Sequence, residues 1–128
     1  MGIQLQNKKT SLDLTYAGFG KFCVTIAYIV DKKFGEEFEN YINDRPCSEK
    51  VLNDYMNRPE YSPFLYHLLF GDIEGKLTAQ ECKQVYNLIK NESACSNFGY
   101  VMYPVQWDDI LDFFKECAEH RWICRWNG

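Results

Sequence analysis

The feature that most constrains the fold is the helical spacing of apolar residues in several separate segments of the chain. In the first segment, apolar side chains recur every three or four residues, at Phe22, Cys23, Ile26, Ile29 and Val30. Such spacing is typical of the buried face of a helix. Helices are predicted over 19–33, 36–43, 49–57, 63–70, 79–90 and 107–120.

Local signals mark several helix boundaries. Thr78 and Glu81 have the spacing of a capping box, and Ser48 is a good N-cap for the third predicted helix. Ser62 and Pro63 predict the start of the fourth helix, with serine as the N-cap and proline at the first helical position. That helix is almost wholly apolar, which predicts a central position in the fold. Gly35 is expected to break or kink the chain between the first two helices.

Both ends of the chain alternate between apolar and polar residues, as β-strands do. Ile3 and Leu5 alternate with glutamines over 2–6, and Trp122, Cys124 and Trp126 alternate with Arg and Ile residues. We expect the two terminal strands to pair.

The other segments are predicted to be connections. They are a polar turn at 7–10, a loop at 11–20, a turn at 71–76 and a long loop at 91–104. The expected fold is therefore mainly α, of the α+β class, with five or six helices and a small antiparallel sheet formed by the N- and C-terminal strands. A chain of 128 residues without a repeat or linker fits one domain over 1–128.

Composition and charge exclude some functions. The formal net charge is −4, whereas non-specific nucleic-acid binding needs a basic surface. Aromatic residues make up 16% of the chain, more than a small domain can bury. We therefore expect some rings to reach the surface, where they suit a binding face.

The sequence predicts a cytoplasmic location with reduced thiols and no membrane contact. The start of the chain lacks the pattern of a secretory leader, and no stretch has the apolar length of a membrane span. The six cysteines form no tight pairs. Cys23, Cys82 and Cys117 fall on apolar helical stripes, where free cysteine packs as a small hydrophobe.

The stretch around Gly75 has part of the spacing of a calcium loop. With Gly75 at the sixth position, Asp72 and Glu74 take the third and fifth positions and Glu81 the twelfth. Phe70 at the first position supplies no oxygen ligand. Asp72, Glu74 and Glu81 are the candidate metal ligands, and the alternative is a turn followed by a capped helix.

A second metal hypothesis concerns softer ligands. Cys117, His120 and Cys124 could gather at a zinc ion, with Cys82 or Cys95 as the fourth ligand. The alternative assigns the cysteines to the core and the histidine to the surface.

A glycine-containing segment precedes the first predicted helix. Free amides at a helix N-terminus bind phosphate, so a nucleotide or anion site is one interpretation of this loop, and an ordinary flexible connection is the other. The candidate ligand-binding residues are Tyr16, Gly18, Phe19, Gly20 and Lys21.

Acidic residues form two clusters. One lies along the outer side of the last predicted helix, at Asp108, Asp109, Asp112, Glu116 and Glu119. The other contains Glu36, Glu37, Glu39 and Asp44. A solvated face explains such clusters, and the functional alternative is a surface that docks on a basic protein, including one built to hold nucleic acid.

No catalytic motif is present: neither G-x-S-x-G nor H-E-x-x-H occurs. A pairing of Cys82 with His67 has no local activating group. The sequence predicts a protein that is not an enzyme and has no catalytic residue and no cofactor.

Short motifs give the chain a resemblance to a known group. They are Met1-Gly2-Ile3, Leu12-Asp13, Tyr16-Ala17-Gly18-Phe19 and Leu69-Phe70-Gly71-Asp72-Ile73-Glu74-Gly75-Lys76-Leu77. The chain resembles small uncharacterised proteins of Firmicutes and their phages, which have a Met-Gly strand, an aromatic-glycine loop and a central Ser-Asp-Cys-Glu-Gly-like turn. Gly71 and Ile73 stand where that group has Ser and Cys. The resemblance implies a bacterial or phage source and a bacterial host cell, but no reaction.

Size, acidity and the lack of catalytic motifs together predict a non-enzymatic protein-binding module. The specific hypothesis is a phage or mobile-element inhibitor of a bacterial defence nuclease, similar to anti-CRISPR proteins, with a larger basic protein as partner and no direct contact with nucleic acid. The alternatives are a small-ligand protein for a nucleotide or anion, an immunity protein, and a metal-dependent structural module.

Overall fold

The computed structural model describes residues 2–70, 75–92 and 104–127, the first three of the last range by their backbone alone. Strands and helices follow one another as β1 (Gly2–Gln6), β2 (Ser11–Thr15), α1 (Tyr16–Val30), α2 (Lys32–Ile42), α3 (Glu49–Met56), α4 (Phe64–Leu69), β3 (Gly75–Leu77), α5 (Ala79–Ile89), α6 (Pro104–His120) and β4 (Cys124–Asn127). The predicted mainly α, α+β fold is confirmed. No described helix combines the length and apolarity that a membrane crossing requires.

The two terminal strands lie at the centre of the sheet. The strand order is β2-β1-β4-β3, and every neighbouring pair is antiparallel. The predicted pairing of the N- and C-terminal strands is therefore confirmed. Cys124 and Trp126 are buried on one face of β4, while Arg125 and Asn127 are exposed on the other.

The predicted loop over 11–20 is wrong, because β2 and the first turn of α1 occupy it. The predicted turn at 7–10 is confirmed: the side-chain oxygen of Asn7 accepts hydrogen bonds from the Lys9 and Thr10 amides at 2.9 and 2.7 Å. This turn folds β2 back onto β1. Leu14 is then buried opposite Ile3, and burial of these apolar side chains favours strand over loop.

The predicted turn at 71–76 is also wrong in its last two residues. Gly75 and Lys76 belong to β3, and 71–74 lies outside the described residues. Three residues carry little strand signal of their own, so the pairing with β4 determines their conformation.

The break between the first two helices falls at Asp31 and not at Gly35. The Asp31 amide donates to the Ala27 carbonyl at 3.1 Å, and its carboxylate accepts from the Lys33 amide at 2.8 Å. Asp31 therefore caps both helices. Gly35 lies inside α2, where a Cβ atom would stand 2.5 Å from Cγ of Tyr28. The glycine serves the close packing of α2 on α1.

The caps at Ser48 and Thr78 are confirmed, the second as a full capping box with Glu81. The predicted start of α4 is wrong. Ser62 and Pro63 belong to the preceding turn, where the Ser62 amide donates to the Arg58 carbonyl at 2.9 Å. The helix begins at Phe64 without a side-chain cap.

The central helix is α1 rather than the predicted α4. All seven residues over 22–28 are buried in α1, whereas Tyr66 and His67 of α4 are exposed. Phe22 of α1 packs on Trp107 and Phe114 of α6, with ring centroids 6.4 and 5.9 Å apart. Helix α6 begins at Pro104, earlier than predicted, and 93–103 of the predicted long loop lies outside the described residues.

Candidate functional site

Aromatic rings gather at the surface formed by α2, α4 and the residue that ends α4. Tyr41, Tyr66 and Phe70 form this aromatic patch, with ring centroids 5.0 Å apart for Tyr41 and Phe70 and 6.0 Å for Tyr66 and Phe70. Tyr66 is 57% exposed and Tyr41 43%. The prediction that some rings reach the surface is confirmed.

The aromatic patch borders a cleft and rests on the core. The cleft has a volume of about 290 Å³, and α3 contributes the buried side chains of Leu52 and Met56 to its lining. Phe38 is buried beneath the patch and contacts both Tyr41 and Phe70, at 6.3 and 5.6 Å between ring centroids. Phe38 therefore supports Tyr41 and Phe70 directly, and Tyr66 packs on Phe70.

The carboxylates of α6 form the acidic face of the protein, defined by Asp108, Asp109, Asp112, Glu116 and Glu119. Four of the five are exposed, and Glu116 is half-buried. None forms an ion pair within the part of the chain that the structure describes. Asp109, Asp112 and Glu116 also line a cleft of about 330 Å³ beside β2, which is an edge strand. The acidic face therefore borders the edge of the described sheet.

Two of the four carboxylates of the second acidic cluster, Glu37 and Glu39, are engaged within the protein. Glu37 accepts a hydrogen bond from the Ser48 amide at 2.6 Å and lies 3.3 Å from the Lys33 ammonium. The hydrogen bond from Ser48 lowers the pKa of Glu37. Glu39 accepts from the Tyr28 hydroxyl at 2.8 Å. Glu36 is exposed and available to a partner. The carboxylate of Glu37 instead binds the connection between α2 and α3.

The candidate anion-binding segment is part of α1, not a loop before it. The Gly18 amide donates to Oγ1 of Thr15 at 2.8 Å, because β2 runs directly into the helix and Thr15 caps it. Phe19 is buried, with its ring 6.0 Å from that of Trp126. Tyr16 is exposed and Lys21 half-buried. One of the amides at this helix N-terminus, that of Gly18, is thus used by the cap.

The candidate calcium ligands do not come together as a described site. Asp72 and Glu74 lie outside the described residues. Glu81 is only 4% exposed, accepts from the Thr78 amide at 3.1 Å, and has its other oxygen 2.6 Å from Nδ1 of His67. Its carboxylate serves the helix cap and a histidine partner that the sequence did not indicate.

Three of the candidate zinc ligands, Cys82, Cys117 and Cys124, are neighbours in the core without being placed to hold a metal ion together. Cys82 hydrogen-bonds both Cys117 and Cys124, and all three thiols are buried and free. The hydrogen bond with Cys82, and then burial, raises the pKa of Cys117. The pKa of Cys82 is raised as well, and raised pKa values disfavour the thiolates that zinc binds. Burial similarly raises the pKa of Cys23 to about 12.

His120 is exposed and stacks on Trp122, with ring centroids 4.6 Å apart. Within the described ranges no three His, Cys, Asp or Glu side chains are placed to hold a metal ion. Cys95 lies outside those ranges. Cys82 donates to the Leu77 carbonyl and His67 binds Glu81, so the structure gives this cysteine and histidine separate partners.

A further cavity was not indicated by any motif. It lies where the β1–β2 turn meets the connection between α6 and β4, and has a volume of about 590 Å³. Lys8, Arg121 and Arg125 supply its cations, and the stacked rings of His120 and Trp122 line it as well. We call it the cationic pocket. The predicted pairing of the terminal strands was the one signal that these distant residues are neighbours.

Comparison with known proteins gives no match. No protein-family model matches the chain, and neither the curated proteins nor the solved structures contain one that is significantly similar.

Proposed function

We propose that the protein is a non-enzymatic protein-binding module that docks through the aromatic patch. The observation that carries this proposal is the exposure of Tyr41 and Tyr66, which both pack on the ring of Phe70. Buried Phe38 lies beneath Tyr41 and Phe70. Aromatic side chains held in one geometry lose little conformational entropy on binding and dominate the energetics of many interfaces. The adjoining cleft offers a pocket for an apolar anchor from the partner.

The acidic face supports a basic partner. Its five carboxylates have no cation within ion-pair distance among the described residues. The formal net charge of −4 adds to the same negative field. Such a field raises the association rate with a positively charged protein and disfavours acidic competitors.

The more specific proposal is that the partner is a bacterial defence nuclease, which this protein inhibits in the manner of anti-CRISPR proteins. A nuclease holds its nucleic acid in a cationic groove. The acidic face would occupy that groove, while the aromatic patch would supply the desolvated contact. The acidic face and the aromatic patch would then act together in one complex.

A pair of tyrosine variants tests the docking surface. Tyr16 lies outside the patch but is 45% exposed, close to the 43% of Tyr41. We expect Tyr41→Ala and Tyr66→Ala to weaken binding of the captured partner about tenfold or more each, and Tyr16→Ala to leave it within about twofold. Quantitative affinity capture from bacterial lysate, followed by titration of the purified partner, measures this. Equal losses of affinity in all three variants would contradict the proposal that the aromatic patch is the docking surface.

A matched charge reversal tests the more specific proposal. Asp112→Lys alters the acidic face, and Glu60→Lys makes the same charge change at an exposed site elsewhere. We expect only Asp112→Lys to relieve inhibition of DNA cleavage by the captured nuclease and to restore restriction of phage plating. A captured toxin would indicate an immunity protein instead, and an unchanged nuclease would contradict the inhibitor proposal.

A further inference from the structure

The cationic pocket carries positive charge that the protein does not neutralise. Lys8, Arg121 and Arg125 all line it, and none forms an ion pair with another described residue. This local excess is unexpected in a chain whose formal net charge is −4. A cleft lined by charge of one sign concentrates ions of the opposite sign, so three cations around one cavity favour the binding of a negative group.

The sheet register adds a second observation. Lys76 of β3 is paired directly with Arg125 of β4, and both side chains are exposed on the same face. Side chains at such positions lie about 5 Å apart at their Cβ atoms, and like charges there are destabilising. An anion bound beside Arg125 would convert this repulsion into attraction.

The backbone at Arg121 adds a third observation. Arg121 has φ of 58°, in the left-handed region, and the Trp122 amide donates to the Cys117 carbonyl at 3.0 Å to close the end of α6. Glycine is the preferred residue at this position of a helix terminus. An arginine there holds a strained backbone, which is a feature of functional sites.

The dipole of α6 explains only the cations at the end of that helix. The negative end of α6 attracts a cation, which suits His120 or Arg121. It does not explain why Lys76 and Arg125 are opposed on the sheet, or why Lys8 faces the same cavity. An anion in the pocket would contact Lys8, Arg121 and Arg125. It would also offset the repulsion between Arg125 and its strand neighbour Lys76, which does not itself line the pocket.

We propose that the cationic pocket binds the phosphate group of a small phosphate ester. Guanidinium groups match the oxygens of a phosphate in geometry as well as in charge. The volume of about 590 Å³ falls in the range of small-molecule sites. His120 is exposed over Trp122 and offers a planar surface for a ring attached to the phosphate.

The same surroundings select against a long polyanion. Glu116 and Glu119 lie within one turn of His120 on α6, so a nucleic-acid strand extending along the helix would meet like charge. A compact ester reaches the arginines without crossing the acidic face. The ligand is therefore a small molecule, either a nucleoside monophosphate or a non-aromatic ester such as a sugar or glycerol phosphate.

Calorimetric titration of the full chain at constant ionic strength tests the site. The probes are AMP, glycerol 3-phosphate and adenosine, which lacks the phosphate. We expect at least one ester to bind with a Kd of about 1 mM or tighter, and adenosine not to bind. Arg125→Gln should weaken ester binding about tenfold or more, whereas Lys50→Gln, at an exposed site on α3, should leave it unchanged.

Each result decides the proposal. Tighter binding of AMP identifies a nucleotide site, and equal binding of both esters identifies a site for the phosphate alone; both sustain the proposal. It is overturned if neither ester saturates below about 10 mM, if adenosine binds as well as AMP, or if Arg125→Gln and Lys50→Gln behave alike. Should Arg125→Gln fail to fold by circular dichroism, Lys8→Gln in the exposed turn replaces it, with the same expected direction. No macromolecular partner is involved, so failure here leaves the proposed function untouched.

Discussion

The aromatic patch and the cationic pocket differ in the side chains that form them and in the elements that carry those side chains. Helices α2 and α4 present the patch, whose rings contact one another and rest on a buried ring. The pocket lies between a turn and a helix–strand connection, and its cations have no ion-pair partner among the described residues. Binding at the aromatic patch is favoured by the removal of apolar area from water, whereas binding at the cationic pocket is favoured by negative charge on the ligand.

This difference indicates the kind of ligand each surface suits. Desolvation of a broad ring cluster requires a partner large enough to cover it. Unpaired cations around a cavity are satisfied by a compact anion. The protein therefore presents two surfaces for two classes of ligand, and variants that damage one should spare the other.

Each region also depends on a glycine that permits close approach. At Gly75 in β3, a Cβ atom would stand 2.0 Å from Cζ2 of the buried Trp126, beside Arg125. At Gly35 in α2, the same atom would stand 2.8 Å from the Cα atom of Tyr28. Alanine at either position should damage the region that its element supports.

The largest expected effect is that of Gly75→Ala. Because the Trp126 ring is buried and must move, we expect unfolding free energy to fall by about 3 kcal/mol. Urea denaturation followed by circular dichroism measures it. In the folded fraction, phosphate-ester affinity should drop while partner affinity is retained; unchanged stability would contradict the close approach of β3 to Trp126.

Gly35→Ala should be the next largest, with a loss of about 2 kcal/mol. Helix propensity alone predicts the opposite sign, a gain of about 1 kcal/mol. Gly20→Ala in α1 is the matched control, because no atom lies within 4 Å of its added Cβ. Chemical denaturation should show Gly20→Ala stabilised and Gly35→Ala destabilised. Two gains of similar size would show that α2 does not depend on Gly35 for its packing.

Arg121→Gly should separate stability from binding in the cationic pocket. Glycine adopts a φ of 58° without strain, so we expect a gain of about 1 kcal/mol in unfolding free energy. Ester binding should weaken in the same variant, since a guanidinium group is lost. Thermal melting and calorimetry give the two readouts, and a loss of stability would contradict the strain argument.

Glu37→Gln should have the smallest effect and sharpen the definition of the acidic surface. The Ser48 amide lowers the folded-state pKa of Glu37 from its ordinary value of 4.5. Its contribution to stability is therefore present above that pH and lost as the pH falls through the lowered value. We expect a slightly lower Tm for Glu37→Gln at neutral pH and no difference in acid, with Glu36→Gln unaffected. A loss of partner binding in Glu37→Gln would show that Glu37 belongs to the docking surface, contrary to this expectation.

Signals that act within a few residues made part of this fold predictable. Ser48 and Thr78 cap helices through amides three residues away, so the sequence carries the complete signal. The terminal strands were recognisable from alternation. Leu12 and Leu14 alternate in the same way, but the nearby Gly18 and Gly20 favoured a loop, and β2 was missed.

Signals that depend on tertiary neighbours were not predictable in the same way. Helical spacing places Phe38 and Tyr41 on the same face of the helix, although Phe38 is buried and Tyr41, about one turn later, is exposed. The spacing alone does not show where the core ends. Gly35 looks like a helix break until Tyr28 is seen against it. The cationic pocket joins Lys8 to Arg121, and only the register of the sheet shows that these charges share a cavity.

Hydrogen–deuterium exchange of the full chain, alone and with each ligand, tests the separation of the two surfaces most directly. We expect the macromolecular partner to slow exchange over 38–42 and 64–70, and AMP or glycerol 3-phosphate to slow it over 6–8 and 120–125. Protection of the same segment by both ligands, or protection by neither, would contradict the presence of two separate binding surfaces.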